Sequence, residues 1–529
     1  MPQGSQGDAK RGYEPGKFLI LLVASAVSSL IMLDSNIVAV SLPAIARSLG
    51  ATFTDIEWVV SAYVLTFSAL LLAAGSFADR HGRKRATLIG LAIFTVASAI
   101  CGLATSSLML NLARALQGVG ASLLLTASMA VINQTFSGAD RARAYGFWGA
   151  CLGIAITSGP IAGGVITEIF GWRWAFLLNL PVGLVFLIAT AKVFKESRDH
   201  EAKRLDLGGI ATFSTSLFLL IWGLIDGNSL GWTSFAIAWR LLASVVLFVA
   251  FVAIEVRQER PMIDFTLFKQ STFLGTAFAM LGYAGAAQVM IFYLPLALQN
   301  SYGFTPAEAG LAMLPFALPM FFTPRLGASL SARYSSRALL TLGLATTFVG
   351  DLSLFLFSRI DASYGVFALG MVALGAGAGL LNSETSKAMQ GAVPPQRSGM
   401  ASGLTSTTRF TGLLLAVAGL GAALSSSATK HFLAAASALG LDPQSAAEAA
   451  PRIASGDLAG AFTNLPDSIR VHVLSAASTS FAAGFALACL VAAIVAAVTG
   501  MLAFVLMQRP ARATALDAPT AGHLVQPME

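Results

Sequence analysis

The sequence predicts an all-α polytopic membrane protein of fourteen spans, and three observations predict it. The 529 residues are 56% hydrophobic and only 11% charged, with a mean hydropathy of +0.74, whereas a soluble domain carries about 25% charged residues. Fourteen apolar stretches are long enough to cross a bilayer, which takes about 20 residues of helix each. Lys and Arg concentrate on alternate connections between those stretches, the pattern the positive-inside bias gives a chain woven through a membrane.

Apolar runs place the spans near 18–43, 57–77, 86–104, 107–132, 144–167, 174–194, 208–226, 235–254, 272–298, 306–328, 338–357, 364–386, 399–424 and 478–506. With the N-terminus inside, 23 Lys and Arg fall on the inner side and 6 on the outer side. An odd number of spans would scramble that alternation, so both termini are expected in the cytoplasm.

The connections divide the chain. A polar tail covers 1–17, and a charged linker begins at Lys195 and ends at Asp206. A second linker runs from Glu255 to Lys269. The expected organisation is therefore a six-helix bundle over 18–195 and a segment 196–271 holding two extra helices, 208–226 and 235–254. A second six-helix bundle over 272–506 includes an outer loop at 427–475, and a tail follows at 507–529. That Ala-rich loop is expected to hold one or two short amphipathic helices. Paired halves favour an internally duplicated transporter. A faint sequence echo supports this: Gly327, Ser331, Arg333 and Arg337 repeat the layout of Gly75 to Arg85.

Composition also narrows the chemistry. The net charge of +7 reads as topology signal and anionic-lipid contact rather than nucleic-acid binding. Cys101, Cys151 and Cys489 lie in separate apolar stretches without metal or disulfide spacing. The apolar run after Lys17 is too long for a signal-peptide core, so no cleavable leader is expected. A Gly-x4-Gly-Lys-Ser/Thr phosphate loop is not visible, and neither is a His-x3-His or Glu-x2-His cluster. An ion gradient is then the natural energy source, with no cofactor, and an intramembrane enzyme is disfavoured.

Several strings carry a family resemblance. Gly75-x3-Asp79-Arg80-x-Gly82-Arg83-Lys84 resembles the cytoplasmic loop signature of the major facilitator superfamily. Leu33-Asp34-Ser-Asn36-Ile-Val-Ala39, Glu57-Trp58 to Tyr63, and Arg114-Ala-Leu-Gln117-Gly118 are similar to motifs of its fourteen-span drug:proton antiporter branch. So is Gly153 followed by Gly159-Pro160-Ile-Ala-Gly163-Gly164, and so are Gly171 to Phe176, Asn179, Glu259-Arg260-Pro261 and Arg409. The likeness covers spans 1 to 13 and departs at Asn36 and Ala39, where the family usually has Thr and Asn. It implies the major-facilitator fold, alternating access and multidrug efflux across a bacterial cytoplasmic (inner) membrane. The substrates would be lipophilic small molecules, cations among them. The protein would act as a monomer, or with an adaptor and outer-membrane partner in a two-membrane cell.

Spacing alone puts Asp34 of span 1 and Arg114 of span 4 at a similar depth, since the two spans run in opposite directions. Either they form a fixed salt bridge, or Asp34 takes and releases the coupling proton. The resemblance implies the second role, with Arg114 tuning proton affinity and Gln117, one turn away, sharing the network. Asn36, Asp351 and Arg409 are further candidates. Asp351 is a second acidic site or a charge solvated in the outer cavity, and Arg409 is a structural cation or part of the network. The span 5 glycines serve as close packing or, as the resemblance implies, as a leak-proof seam between the halves. The Gly75–Arg83 knot serves as an orientation signal or as a latch whose Asp79 faces a helix of the other half. Glu384 and Lys387 read as an interfacial pair, and Arg240 and Arg325 as side chains that snorkel. On the same fold, the export of one endogenous metabolite or the import of an organic anion stays open.

Overall fold

The computed structural model describes residues 15–198, 207–258, 265–331, 333–393, 398–455 and 467–507. Fourteen helices are long and apolar enough to cross a membrane, and no strand occurs among the described residues. They are α1 (Pro15–Leu49), α2 (Phe53–His81), α3 (Arg83–Gly102), α4 (Ser107–Thr135), α5 (Gly138–Phe170), α6 (Trp174–Val193) and α7 (Leu207–Leu230). Then follow α8 (Phe235–Arg257), α9 (Ser271–Asn300), α10 (Pro306–Leu330), α11 (Ser336–Arg359), α12 (Tyr364–Gly391), α13 (Ser398–Ala438) and α14 (Asp467–Leu506). Most of both tails, most of the first charged linker, the Glu259-Arg260-Pro261 string and Arg397 lie outside the described residues.

Local chemistry sets where helices begin and break. Thr52 accepts the amide of Asp55 while the Asp55 carboxylate accepts the amide of Thr52 at 2.9 Å, a capping box at the start of α2. Thr305 and Glu308 repeat that arrangement at α10, with Pro306 in the first turn. Gly82 separates α2 from α3 at φ 111°, a backbone conformation that strains any residue with a Cβ. Midway along α9 the residues Tyr283–Gln288 form a π-turn.

The first half comprises α1–α6 and the second α9–α14. In each half the second and third helices pack on the fourth, and the third packs on the sixth. The duplication that is faint in sequence is therefore plain in the packing. Helix α7 lies against α8 and touches both α2 and α13, so the extra pair borders the line where the halves meet. Across that line α1 meets α9, α5 meets α10 and α2 meets α13. We call the end carrying Arg80, Arg83, Lys84 and Arg85 the basic end, and the opposite end the distal end.

Two expectations need correction. The loop expected at 427–475 is much shorter, because α13 runs to Ala438 and α14 starts at Asp467. Phe432, Ala436, Val473 and Ala477 on these extensions enclose Ala446, Ala449, Ala450 and Ile453 of a short helix, Pro443–Ser455. The apolar residues of these extensions thus find protein partners. Asp442 caps this helix, accepting from the Ser445 amide at 2.9 Å and the Ser445 hydroxyl at 3.0 Å, which holds its carboxyl below its usual value. The second correction concerns Arg240, which does not snorkel. It is buried, pairs with Asp226 of α7 at 2.7 Å and lies 3.8 Å from the centroid of the Trp222 ring.

Candidate functional site

The first half encloses one polar centre. Arg114 donates through Nη1 to Asp34 Oδ2 at 2.7 Å and to Gln117 Oε1 at 2.6 Å. Gln117 donates to Asp34 Oδ1 at 3.0 Å and Asn179 of α6 to the same oxygen at 2.7 Å. Ser98 of α3 accepts from both amides, at 2.8 and 3.3 Å. Arg114 Nε is satisfied by the Val59 carbonyl at 3.0 Å. The exposure of the Arg114 and Asp34 side chains is 2% and 0%. The centre ties α1, α3, α4 and α6 together, and its donors and acceptors complement one another, which is what a charge pair enclosed in a membrane requires.

Tyr63 of α2 covers this centre. Its ring centroid lies 4.1 Å from the Arg114 guanidinium carbon, and the same residue lines a central pocket between the halves. The remaining lining comes from Ile31, Met32, Ser35, Asn36, Val64, Phe67 and Ile156 on one side. Gln288, Ile291, Phe292, Met320, Arg409, Phe410 and Leu413 complete the other. Asn36 belongs to this pocket and not to the Asp34 network, since its amide donates to its own helix at Met32 O. Arg409 also belongs to the pocket. It donates to Gln288 Oε1 at 2.8 Å and to the Tyr283 hydroxyl at 3.2 Å, which donates to Asn382 Oδ1 at 3.1 Å.

Asp351 joins neither group. It is 0% exposed in the second half, and neither carboxylate oxygen has a hydrogen-bond partner. A position solvated in an outer cavity is therefore excluded in this state. Glu384 and Lys387 do pair, at 3.8 Å, with the acid buried and the amine exposed.

The span 5 motif faces two ways. A Cβ on Gly163 would lie 2.7 Å from the Ile37 backbone of α1, and Gly159 abuts Asn36. On the other face Gly164 meets the Pro306 carbonyl and the Pro160 carbonyl meets Gly310, both on α10. Nearer the basic end a Cβ on Gly153 would meet the Phe321 ring at 3.4 Å, and at Gly149 and Gly146 it would meet nothing. The halves thus touch backbone to backbone distally and part toward the basic end. Gln299 donating to Val40 O at 2.9 Å, Ala307 N donating to Glu168 at 2.9 Å, and buried Glu57 against Gly421 complete the distal contact. At the basic end Arg80 is exposed, and Asp79 accepts from Arg83, four residues on, at 2.9 Å. This ion pair lies within the first half. Gly75 packs against Thr126, and Gly82 faces the Glu196 carboxylate.

Sequence reasoning did not assign Ser98, Tyr63 or Asn179 to the centre, although the last two stood inside recognised strings. Neutral polar residues are ordinary in membrane helices, whereas a buried charge announces a partner.

The profile of the Major Facilitator Superfamily matches residues 24–417. The chain is 34% identical over 408 residues to multidrug resistance protein Stp of Mycobacterium tuberculosis (strain ATCC 25618 / H37Rv), covering 77% of this chain and 76% of that one. It is 35% identical over 416 residues to cephamycin export protein CmcT of Amycolatopsis lactamdurans, covering 76% and 85%. A solved bacterial homolog to the human lysosomal transporter Spinster, inward-facing and occupied, superimposes with a TM-score of 0.62 at 17% identity, over 94% of this chain and 97% of that one. With the family profile spanning the first half and continuing into α13, this chain belongs to the Major Facilitator Superfamily and is a multi-pass membrane transporter, not an enzyme.

Proposed function

We propose that the protein exports lipophilic small molecules from the cytoplasm in exchange for protons, with the basic end inside and the pocket open to that side. The relatives named for multidrug resistance and cephamycin export support the direction of transport. The charge bias of the connections supports the orientation. The carrying observation is the enclosed Asp34–Arg114 pair, separated from the pocket by one aromatic ring.

A proton on Asp34 removes the charge that holds Arg114. The guanidinium then keeps Val59 O, Gln117 and the Tyr63 ring as partners, and its shift moves the wall of the pocket through Tyr63. Substrate pressing on Tyr63 acts in the reverse sense, favouring proton release. At 100 mV each proton supplies about 2.3 kcal/mol, enough for roughly a fiftyfold substrate gradient if one proton is exchanged. Proteoliposomes with an imposed pH gradient test the reading. Substrate-dependent proton movement opposite to the substrate supports it, and movement of both in the same direction rejects it.

A further inference from the structure

We infer that the central pocket is built for a lipophilic substrate carrying a negative charge, with Arg409 of α13 as the group that receives it. This rests on the transport reading above and narrows its substrate class, setting aside the cations that the sequence resemblance admitted.

Three arginines are embedded among the helices: Arg114, Arg240 and Arg409. Arg114 has a carboxylate at 2.7 Å, and Arg240 has one at 2.7 Å. The partners of Arg409 are an amide oxygen and a phenol, both neutral. A guanidinium does not give up its proton in a protein and carries five N–H donors, of which these two bonds use two. A cation at membrane depth without a counter-charge is costly, and such residues face a cavity or a partner. Arg409 faces the cavity, and among the described residues that line it no other is charged.

The surroundings hold the guanidinium in place. Its central carbon lies 5.1 Å from the Tyr283 centroid and 5.9 Å from the Phe410 centroid. Tyr283 and Gln288 open and close the π-turn of α9, an irregularity that recurs at functional positions. The rest of the lining is apolar and aromatic apart from Ser35, Asn36 and Gln288. A flat apolar body bearing a carboxylate, sulfonate or ionised phenol fits such a lining, with its oxygens on the free N–H groups. Asp34, the acid nearest in sequence to the lining, accepts from three donors, is paired with Arg114 and is 0% exposed, so it does not reach a ligand in the pocket.

Purified protein in phosphatidylcholine nanodiscs, with no pH gradient and no anionic lipid, tests the assignment. The probes are 9-anthracenecarboxylate, its methyl ester and ethidium, read by fluorescence titration. The parent is expected to bind the acid at least tenfold tighter than the ester, with ethidium weaker than both. Arg409→Gln should bring acid and ester within about threefold, and Arg409→Lys should restore part of the preference. Equal binding of acid and ester by the parent, including no binding of either, overturns the inference, as does an Arg409→Gln variant that keeps the preference. The parent ratio decides even if Arg409→Gln does not fold. Because binding is read without a gradient, this result is separable from the proton-movement test.

Discussion

Three donors converge on Asp34, and each belongs to a different structural claim. Arg114 supplies charge, Gln117 fixes the guanidinium on the same helix, and Asn179 reaches in from α6. Asp34→Asn keeps the size and most of the hydrogen bonds, so the fold should survive while substrate-driven proton release is lost. Retained proton release in proteoliposomes would remove Asp34 from the coupling. Arg114→Ala leaves a buried carboxylate facing a void and should destabilise the protein by about 3–5 kcal/mol. Detergent unfolding midpoints check this, and a variant as stable as the parent would show the pair is not needed for folding. The charged members of this centre were legible because ionised groups are rare in apolar stretches and must answer one another. Ser98 and Asn179 were not, since nothing in a neutral polar residue reports which face of its helix is inward.

At the level of single helices, α5 has the most specific design. Its small residues line two faces, and the face toward α10 touches backbone distally and open space near the basic end. Gly164→Val places a branched side chain where the Pro306 carbonyl sits, so it should hold the distal contact apart. In a background with Cys101, Cys151 and Cys489 replaced, a cysteine at Gln299 should then react with a membrane-impermeant thiol reagent several-fold faster. An unchanged rate would mean that this contact does not govern closure. Helix identity was legible throughout from apolar length. Helix ends were not, because the Ala-rich stretches after 424 and before 478 read as a loop when only the membrane is counted as a partner. The structure supplies a second partner in the helix Pro443–Ser455.

The whole molecule is two like-paired bundles meeting at one end. Joining Val40→Cys to Gln299→Cys with a short bifunctional thiol reagent, in the same cysteine-free background, should stop transport and leave binding from the basic end intact. Transport that persists after complete cross-linking would show that the distal contact need not open. The span count followed from apolar length. Which end is shut did not, because both conformations of an alternating carrier use the same residues and composition cannot choose between them. The seam of α5 and α10 has a consequence for leakage. Where main chain rests on main chain at two levels there is no slack to take up, so the two rods are either in touch or apart. Such a barrier is expected to have two settings and no dribble between them, and a wedge the size of a valine should make it weep.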